Sequence, residues 1–209
     1  RSNNDMSMAM NNHMNTELLK KNFGEHGFET SFFETKEQAT EYLTGKIKGK
    51  KVAFGGSMTV QEMKLDKALA EENEVIWRTR ERESLMEARA AEVYITSANG
   101  VSETGELINI DGRGNRVSQT LFGPEKVYYV VGYNKLAPTM HQAMTRAKNI
   151  AAPKNAVRLN AKTPCAAHGG DRCYDCSSPD RLCRATVILE RPCRDMEAEV
   201  VFINEELGY

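Results

Sequence analysis

The sequence predicts an α/β fold built on a mostly parallel sheet. Short apolar segments that end in glycine or polar residues alternate along the chain with segments that have the apolar spacing of helices. Strands that alternate with helices pair in parallel through right-handed crossovers. A length of 209 residues suffices for one well-filled core. We therefore expect a single domain over residues 14–209.

The first half of the chain supplies the elements of this pattern in order. Thr16 can cap a first helix, in which Leu18, Leu19 and Phe23 share a face and which Gly27 can end. The following segments are predicted, in chain order, as a strand in FETSFF, a helix in KEQATEYLTGKI, a strand in KKVAFGG, a helix in TVQEMKLDKALAEEN, a strand in EVIWR, a helix in ERESLMEARA and a strand in EVYITSANGV.

The second half contains one break in this rhythm. ELINI and RVSQTLF flank the turn signal DGRGN, which predicts a β-hairpin. The remaining predictions are a buried strand in KVYYVVG, helices in APTMHQAMTRAKNIAAPKNAVRLN and two closing strands in ATVILE and EVVFINEELG. Residues 1–13 are rich in Asn and Met and precede the first helix signal, so we expect a cloning remnant or a disordered tail there.

The charge balance argues against several classes of partner. The chain has 28 basic and 29 acidic residues, a net charge of −1, which provides no field to attract nucleic acid or an acidic membrane surface. No apolar run reaches the roughly 18 to 20 residues of a membrane helix, and no signal peptide is evident. We expect a soluble cytoplasmic protein without nucleic-acid or membrane partners.

Four of the five cysteines lie in one polar segment, TPCAAHGGDRCYDCSSPDRLC, within a loop insertion predicted over residues 163–184. The candidate metal ligands are Cys165, Cys173, Cys176 and Cys183. One CxxC pair with two irregularly spaced thiols suits a [4Fe–4S] cluster, whereas zinc ribbons more often pair two such knuckles. Three alternatives stay open: an iron–sulfur cluster, zinc, or a surface loop whose thiols are free or form disulfides. His168 could replace one ligand but is expected to be a loop residue, and Cys193 is predicted to be a small buried side chain.

A glycine turn follows the predicted strand in KKVAFGG. Gly55, Gly56 and Ser57 stand between that strand and a helix, where small residues let an anionic ligand approach the backbone. The alternative is an ordinary strand-to-helix turn that Ser57 or Thr59 caps.

A second polar segment, TSANGVSETGELINIDGRGNRVS, follows the next predicted strand. Polar side chains on a loop that a rigid scaffold holds are typical of an active site, although a solvated hairpin would look the same. The residues concerned are Asn99, Glu103, Thr104, Asp111, Asn115 and Arg116.

FGGSMTVQEM, ANGVSETGELINIDGRGNRVS and GPEKVYYVVGYNK resemble the LUD-domain family of lactate utilisation proteins. The resemblance covers residues 16–150 and, loosely, the final strands. It implies the three-layer α/β/α fold that ribose-5-phosphate isomerase, glucosamine-6-phosphate deaminase and CoA transferases share. It also implies a role beside the iron–sulfur proteins of a bacterial L-lactate oxidation system.

The resemblance carries over to particular residues but supplies no catalytic assignment. The matching positions are Gly55, Gly56, Ser57, Thr59 and Glu62 in the glycine turn, Glu103, Thr104 and Gly105 in the ETG motif, and Asn115 and Arg116 in the GNR motif. With Asn99, these form the predicted ligand site, in which Glu103 is the candidate catalytic residue.

Three functions are consistent with these observations. The first is a redox accessory in the use of L-lactate or a related hydroxy acid, which binds a small carboxylate or phosphate ligand near Gly55, Glu103 and Arg116 and carries a [4Fe–4S] cluster toward iron–sulfur partner proteins. The second is an isomerase or acyl-CoA transfer enzyme with Glu103 as base or nucleophile. The third is a zinc-stabilised binding module with a protein partner. The oligomeric state is left open, and a homo-oligomer is compatible with the sequence.

Overall fold

A six-stranded parallel sheet forms the centre of the molecule. The computed structural model describes residues 13–76 and 81–209, and its central strands follow the order β1, β10, β7, β4, β2, β3. All five strand pairings in this sheet are parallel, which confirms the predicted α/β fold with a mostly parallel central sheet. The strands are β1 (Glu29–Phe33), β2 (Lys51–Phe54), β3 (Glu74–Val75), β4 (Val93–Thr96), β7 (Lys126–Gly132) and β10 (Glu197–Ile203).

Strand residues alternate strictly between two hydrophobic cores, because successive side chains point to opposite faces of a sheet. In β7, Val127, Tyr129 and Val131 belong to one core, whereas Tyr128 and Val130 belong to the other. The inner strands β2, β4, β7 and β10 are therefore buried on both faces, as the continuous apolar runs of the sequence predict, whereas the edge strands β1 and β3 are only partly buried.

Helices α1 to α6 flank this sheet. Their bounds are α1 (Thr16–Glu25), α2 (Lys36–Lys46), α3 (Met58–Met63), α4 (Leu65–Leu69), α5 (Arg82–Glu87) and α6 (Asn115–Leu121). Helices α2 to α4 cover one face, and α1 packs Leu19 and Phe23 into the other core. Asn15, not the predicted Thr16, caps α1 through its side-chain oxygen, which accepts a hydrogen bond from the N–H of Leu18.

A second sheet, of four strands in the order β8, β5, β6, β9, lies on the face that α1 covers. Its strands are β5 (Gly100–Ser102), β6 (Leu107–Asp111), β8 (Leu136–Ala137) and β9 (Ala185–Leu189). The segment EVYITSANGV, predicted as one strand, thus divides into β4 and β5, which belong to different sheets. The two closing strands also separate, because β9 pairs with β6 and β10 enters the central sheet.

The hairpin predicted around DGRGN is wrong. ELINI forms β6 as expected, but its antiparallel partners are β5 and β9, and RVSQTL belongs to helix α6. The reason is Asp111, whose carboxylate accepts hydrogen bonds from the backbone N–H groups of the following turn and thereby starts a helix rather than a strand.

Two further predictions are corrected in detail. The helix predicted in TVQEMKLDKALAEEN breaks into α3 and α4 at Lys64, which has a left-handed conformation with φ of 52°. In EVIWR only Glu74–Val75 forms a strand among the described residues, while residues 77 and 78 lie outside them. The tail predicted at residues 1–13 also falls outside the described residues, apart from His13.

The long helical segment after β8 packs against the second sheet. It consists of α7 (Met140–Arg146), a π-helical turn (Ala147–Ala151) and α8 (Ala152–Arg158), and a one-turn helix, α9 (Pro164–Ala167), follows it. Ala143 and Ala147 pack there against Ile108 and Ile110 of β6. None of the described helices has the length and apolar character needed to cross a membrane.

Candidate functional site

A cavity of about 530 Å³ opens where the central strands β2, β4 and β7 end. The carboxyl ends of parallel strands meet at one edge of a sheet, and open α/β sheets bind ligands at that edge. The residues after β2, β4 and β7 all contribute to the lining, and α6, α8 and the cysteine loop close the remaining sides. The lining residues used below are Gly55, Gly56, Ser57, Ser97, Asn99, Asp111, Asn115, Arg116, Lys135, Arg158 and Cys183.

The glycine turn forms one wall of this cavity. The N–H of Gly55 continues the pairing of β2 with β4, since it donates to the carbonyl oxygen of Ile95 at 2.8 Å. A β-carbon at Gly55 would stand 2.4 Å from the hydroxyl oxygen of Thr96, so only glycine fits there. Ser57 caps α3 by accepting a hydrogen bond from the N–H of Val60. The turn is therefore a capped strand-to-helix turn, as one interpretation of the sequence predicts, and it also lines a cavity.

The carboxylate of Asp111 organises the opposite wall. One of its oxygens accepts from the N–H groups of Gly112 and Arg113, and the other accepts from those of Arg116 and Val117. Four backbone donors thus converge on one side chain at the start of α6. These hydrogen bonds hold the backbone of the DGRGN segment in place, and they thereby fix the position from which the side chain of Arg116 extends.

Arg116 is anchored by neutral oxygens. Its guanidinium donates to the side-chain oxygen of Asn99 at 3.0 Å and to the carbonyl oxygen of Ile110 at 2.6 Å. Burial lowers the pKa of Arg116, and the negative charge of Asp111 opposes that shift. The backbone of Asn99 in turn accepts a hydrogen bond from Arg146 at 2.7 Å, so a second guanidinium supports the same loop.

Two buried polar groups on the cavity wall have no protein partner within the described ranges. The hydroxyl of Ser97, a residue that is 2% exposed, has no hydrogen-bond partner. Lys135 is 4% exposed and makes neither a hydrogen bond nor a salt bridge with any described residue. Burial, together with the positive charges of Arg146 and Arg116, lowers the pKa of Lys135 to about 7. Buried polar groups are almost always satisfied, so two groups without a partner at one cavity are unusual.

The lining of the cavity carries more positive than negative charge. Arg113, Arg116, Lys135 and Arg158 face only two carboxylates, those of Asp66 and Asp111, and the carboxylate of Asp111 is already engaged by backbone donors. A larger groove of about 1000 Å³ lies between α2 and the segment formed by α3 and α4. Its charged side chains, such as Glu37, Glu41 and Lys48, are exposed to solvent, so it lacks the buried unsatisfied groups that single out the smaller cavity.

The structure brings some of the predicted site residues together and places others elsewhere. Gly55, Gly56, Ser57, Asn99, Asn115 and Arg116 all line the cavity. Thr59 does not, because its hydroxyl donates to the carbonyl oxygen of Leu207, and the exposed carboxylate of Glu62 accepts from the N–H of Gly208.

The ETG motif lies outside the cavity, at the turn between β5 and β6. The carbonyl oxygens of Glu103 and Gly105 accept hydrogen bonds from Asn22 of α1 and from His26, the C-cap residue of that helix, at 2.7 and 2.8 Å. The hydroxyl of Thr104 donates to the carboxylate of Glu106. These contacts fasten the second sheet to α1, and the pocket predicted jointly from Gly55, Glu103 and Arg116 is not assembled.

The cysteine loop runs between α8 and β9 and borders the same cavity. Cys165, Cys173, Cys176 and Cys183 are free, half-buried and line a second, small cavity of about 30 Å³. Arg181 holds two of them in place, since its guanidinium donates to the carbonyl oxygens of Cys176 and Cys183 at 2.7 and 3.0 Å. Cys183 lines both cavities, so the thiol loop and the polar cavity adjoin one another.

The thiols offer suitable donor chemistry for a metal but do not form a coordination shell. In residues 13–76 and 81–209, no group of three or more His, Cys, Asp or Glu side chains is placed to hold a metal ion. His168 donates to the carbonyl oxygen of Pro164, stacks on Tyr174 and does not line the thiol cavity. Cys193 is half-buried rather than buried and packs against the main core. Iron–sulfur and zinc both remain predictions for the four loop thiols.

Sequence reasoning missed Lys135, Ser97 and Arg158 as members of the site. Lys135 follows the strand KVYYVVG, whose carboxyl end was expected to be buried, and a lysine at that point is a detectable signal. Arg158 could not have been found, because its approach to the cavity depends on how α8 crosses the second sheet. The missed members make the cavity more cationic than the motifs alone suggested.

Comparisons with known proteins agree with this fold. A structure similar to this chain is a DUF162 family protein from Deinococcus radiodurans, with a TM-score of 0.50 and 12% identity over 90% of this chain and 95% of that chain. Ribose 5-phosphate isomerase from Plasmodium falciparum matches with a TM-score of 0.34 and 16% identity over 49% of this chain and 52% of its own, too weakly to carry an argument. No curated protein matches. The LUD domain model matches residues 16–203, including the cysteine loop, and the chain therefore belongs to the LUD domain family.

Proposed function

We propose that the polar cavity binds a small ligand with a carboxylate or phosphate group. The observation that carries this proposal is that Lys135, which is buried and has no hydrogen-bond or salt-bridge partner in the described part of the chain, lines the same cavity as the guanidinium of Arg116. An anion would accept hydrogen bonds from both groups, and it would neutralise the excess of positive charge on the cavity wall.

The ligand we expect is a hydroxy acid or the corresponding oxo acid. Arg116 can donate to both oxygens of a carboxylate, while the side-chain N–H₂ group of Asn99, on the same wall, can donate to a hydroxyl or carbonyl oxygen. A volume of about 530 Å³ admits such a small molecule together with water.

Calorimetric titration with L-lactate, pyruvate and inorganic phosphate tests this proposal. At least one of the three should bind, and Arg116→Gln should weaken that binding by about 10- to 100-fold, since a hydrogen bond to a charged group contributes about 1.5–3 kcal/mol. Arg89→Gln is the matched control, because Arg89 is exposed and lies outside the cavity lining. Equal loss in both variants, or no binding to the wild-type protein, would overturn the proposal.

We infer further that the protein is a redox accessory in hydroxy-acid utilisation. Cys165, Cys173, Cys176 and Cys183 would hold a [4Fe–4S] cluster, which would supply one-electron transfer to iron–sulfur partner proteins. Two observations support this: the four thiols share one cavity, and Cys183 lies between that cavity and the ligand site.

The iron, zinc and acid-labile sulfide contents of protein purified without oxygen distinguish a [4Fe–4S] cluster from zinc and from no metal. About four irons and four sulfides per chain, lost in Cys176→Ser but kept in Cys193→Ser, would support the redox role. One zinc per chain would favour the binding-module alternative, and the absence of any metal would remove both. The isomerase or acyl-CoA transfer alternative has no comparable support, because Glu103 does not line the cavity.

A further inference from the structure

Anion binding alone does not explain why one of the cationic groups in the cavity is a deeply buried lysine. Lys135 follows β7 in a short 3₁₀ turn, Tyr133–Lys135, and only 4% of its surface is exposed. An arginine would bind an anion with more donors and would keep its charge. A lysine in such a place offers a different property, since its amine can lose its proton and act as a nucleophile.

The surroundings of Lys135 favour the uncharged amine. The charged groups that face it are Arg146 of α7, Arg116 of α6, Lys154 of α8 and Glu62 of α3, of which only the last is negative. The carboxylate of Glu62 is exposed and accepts a hydrogen bond from the N–H of Gly208. With a pKa of about 7, an appreciable fraction of Lys135 carries a free amine at neutral pH.

We propose that Lys135 forms an imine with the carbonyl group of a small compound whose carboxylate or phosphate group is held by Arg116. Both side chains line the same cavity, and after burial and the charge of Arg146, the positive charge of Arg116 also lowers the pKa of Lys135. The compound is therefore bifunctional, with an anionic end for the guanidinium and an aldehyde or ketone for the amine. This inference rests on the anion site proposed above and specifies the ligand that it takes.

The reaction balances without any further reactant. The nitrogen lone pair of Lys135 adds to the carbonyl carbon, the C=O π electrons move to oxygen, and a proton transferred from nitrogen gives a carbinolamine. Loss of water then forms the C=N bond, so that one carbonyl oxygen and two nitrogen-bound hydrogens leave together as water. No oxidant or reductant takes part, and water can reverse the reaction.

Reductive trapping tests the proposal. The protein is incubated with sodium cyanoborohydride and either pyruvate or glyceraldehyde 3-phosphate, which separate a carboxylate from a phosphate ligand. We expect one adduct per chain by intact mass with at least one of the two, located at Lys135 by peptide mapping. Acetone, which has a carbonyl but no anionic group, should give at least tenfold less adduct. L-Lactate, which has no ketone or aldehyde group, should compete without reacting.

Substitutions at Lys135 and Arg116 distinguish the role of the amine in imine formation from the role of the guanidinium in anion binding. Lys135→Met should abolish the adduct, and Arg116→Gln should reduce it at least tenfold at limiting ligand. Lys67→Met is the matched control, because Lys67 is exposed on α4, and it should leave trapping unchanged. Mapping of the wild-type adduct decides the question even if a variant fails to fold.

The pH dependence gives an independent readout. Adduct formation at Lys135 should rise with pH to about 7 to 8 and then level off, whereas trapping at exposed lysines should continue to rise toward pH 10. Adducts spread evenly over exposed lysines would overturn the imine proposal. If trapping at Lys135 fails but calorimetry still detects binding of lactate or phosphate, the imine proposal is wrong and the proposed anion site stands. If neither binding nor trapping is observed, both proposals are wrong.

Discussion

At the scale of single residues, Asp111 determines the shape of the cavity wall although its carboxylate is not available to a ligand. The four backbone donors that converge on it come from Gly112, Arg113, Arg116 and Val117, and together they turn the chain from β6 into α6. The carboxylate thus replaces the side-chain cap that α6 lacks, since its N-cap position is Gly114. Asp111 therefore acts on Arg116 mainly by fixing the backbone from which the side chain of Arg116 extends, rather than by pairing with its charge.

Replacing Asp111 should therefore affect stability and binding together. Asp111→Ala removes all four acceptor contacts, and we expect the free energy of unfolding to fall by about 2 kcal/mol, the upper range for loss of a helix cap. Asp111→Asn keeps one acceptor oxygen and should lose about half as much. Urea denaturation measures both. Asp171→Ala is the control, because Asp171 is exposed and accepts from only one backbone N–H, that of Arg172. A loss no greater than in this control would contradict the role assigned to Asp111.

Lys135 makes the stability of the protein depend on pH in a particular direction. Its pKa is about 7 in the folded protein and near the ordinary 10.5 in the unfolded chain, so between these values the unfolded state binds more protons. The free energy of unfolding therefore rises with pH across this window, with a slope that approaches about 1.4 kcal/mol per pH unit. Below about pH 7 the buried ammonium is charged in both states and its destabilising effect is complete.

Lys135→Met should remove this dependence. We expect the variant to be more stable than the wild-type protein at pH 6, and the difference should narrow by about 1 kcal/mol or more between pH 7 and pH 9. Urea denaturation in buffers free of phosphate and carboxylate measures the difference without a bound anion. Lys67→Met should show no pH-dependent difference. If the difference in the free energy of unfolding between the wild type and Lys135→Met stays constant from pH 6 to pH 9, the pKa of Lys135 is not lowered in the folded protein.

At the scale of elements, the cysteine loop is docked onto the DGRGN segment by a close backbone approach. A β-carbon at Gly112 would stand 2.7 Å from the carbonyl oxygen of Leu182, and the N–H of Arg184 donates to the carbonyl oxygen of Asp111 at 3.0 Å. Because Leu182 and Cys183 also line the polar cavity, this contact closes one side of the candidate site.

Gly112→Ala should push the loop away from the cavity. The added methyl group meets backbone rather than a flexible side chain, and we expect a loss of about 1–3 kcal/mol in the free energy of unfolding together with weaker anion binding. Gly45→Ala serves as the comparison, since a β-carbon there, in helix α2, meets no atom within 4 Å and should be neutral or stabilising. If Gly112→Ala binds the anion as the wild type does, the loop does not form part of the site.

The same elements explain which sequence predictions succeeded. The inner strands of the central sheet could be predicted because a continuous apolar run such as KVYYVVG is a local signal of a buried strand. RVSQTLF was misassigned because its β-branched and aromatic residues favour a strand, whereas four hydrogen bonds to Asp111 decide for a helix. The glycine turn could be predicted because strand, turn and helix are contiguous, but the separation of Glu103 from the cavity could not, since it depends on β5 leaving the central sheet.

At the scale of the whole molecule, the polar cavity and the thiol cavity adjoin one another and share three lining residues, Ala152, Leu182 and Cys183. The polar cavity draws on the ends of β2, β4 and β7 and on α6 and α8, whereas the thiol cavity lies between the loop before β9 and the π-helical turn and α8. Cys183 contributes to both and also packs against the core between the second sheet and α7. If the polar cavity binds an anion as proposed, a change at this thiol, whether alkylation or metal binding, should affect that binding, and by linkage the anion should affect the thiol to the same extent.

Differential labelling of the thiols tests this coupling directly. In the presence of a chelator, an anion that binds the polar cavity should slow the alkylation of Cys183, by about tenfold at a ligand concentration ten times its Kd, because only the free protein then reacts. Cys193, which packs against the main core away from both cavities, should react at an unchanged rate. Reciprocally, protein alkylated at Cys183 should bind the anion more weakly, while alkylation of the Cys183→Ser variant should leave its affinity unchanged. Equal protection of all five thiols would mean that the ligand stabilises the whole fold rather than covering Cys183, and no protection at all would place the anion away from this wall of the cavity.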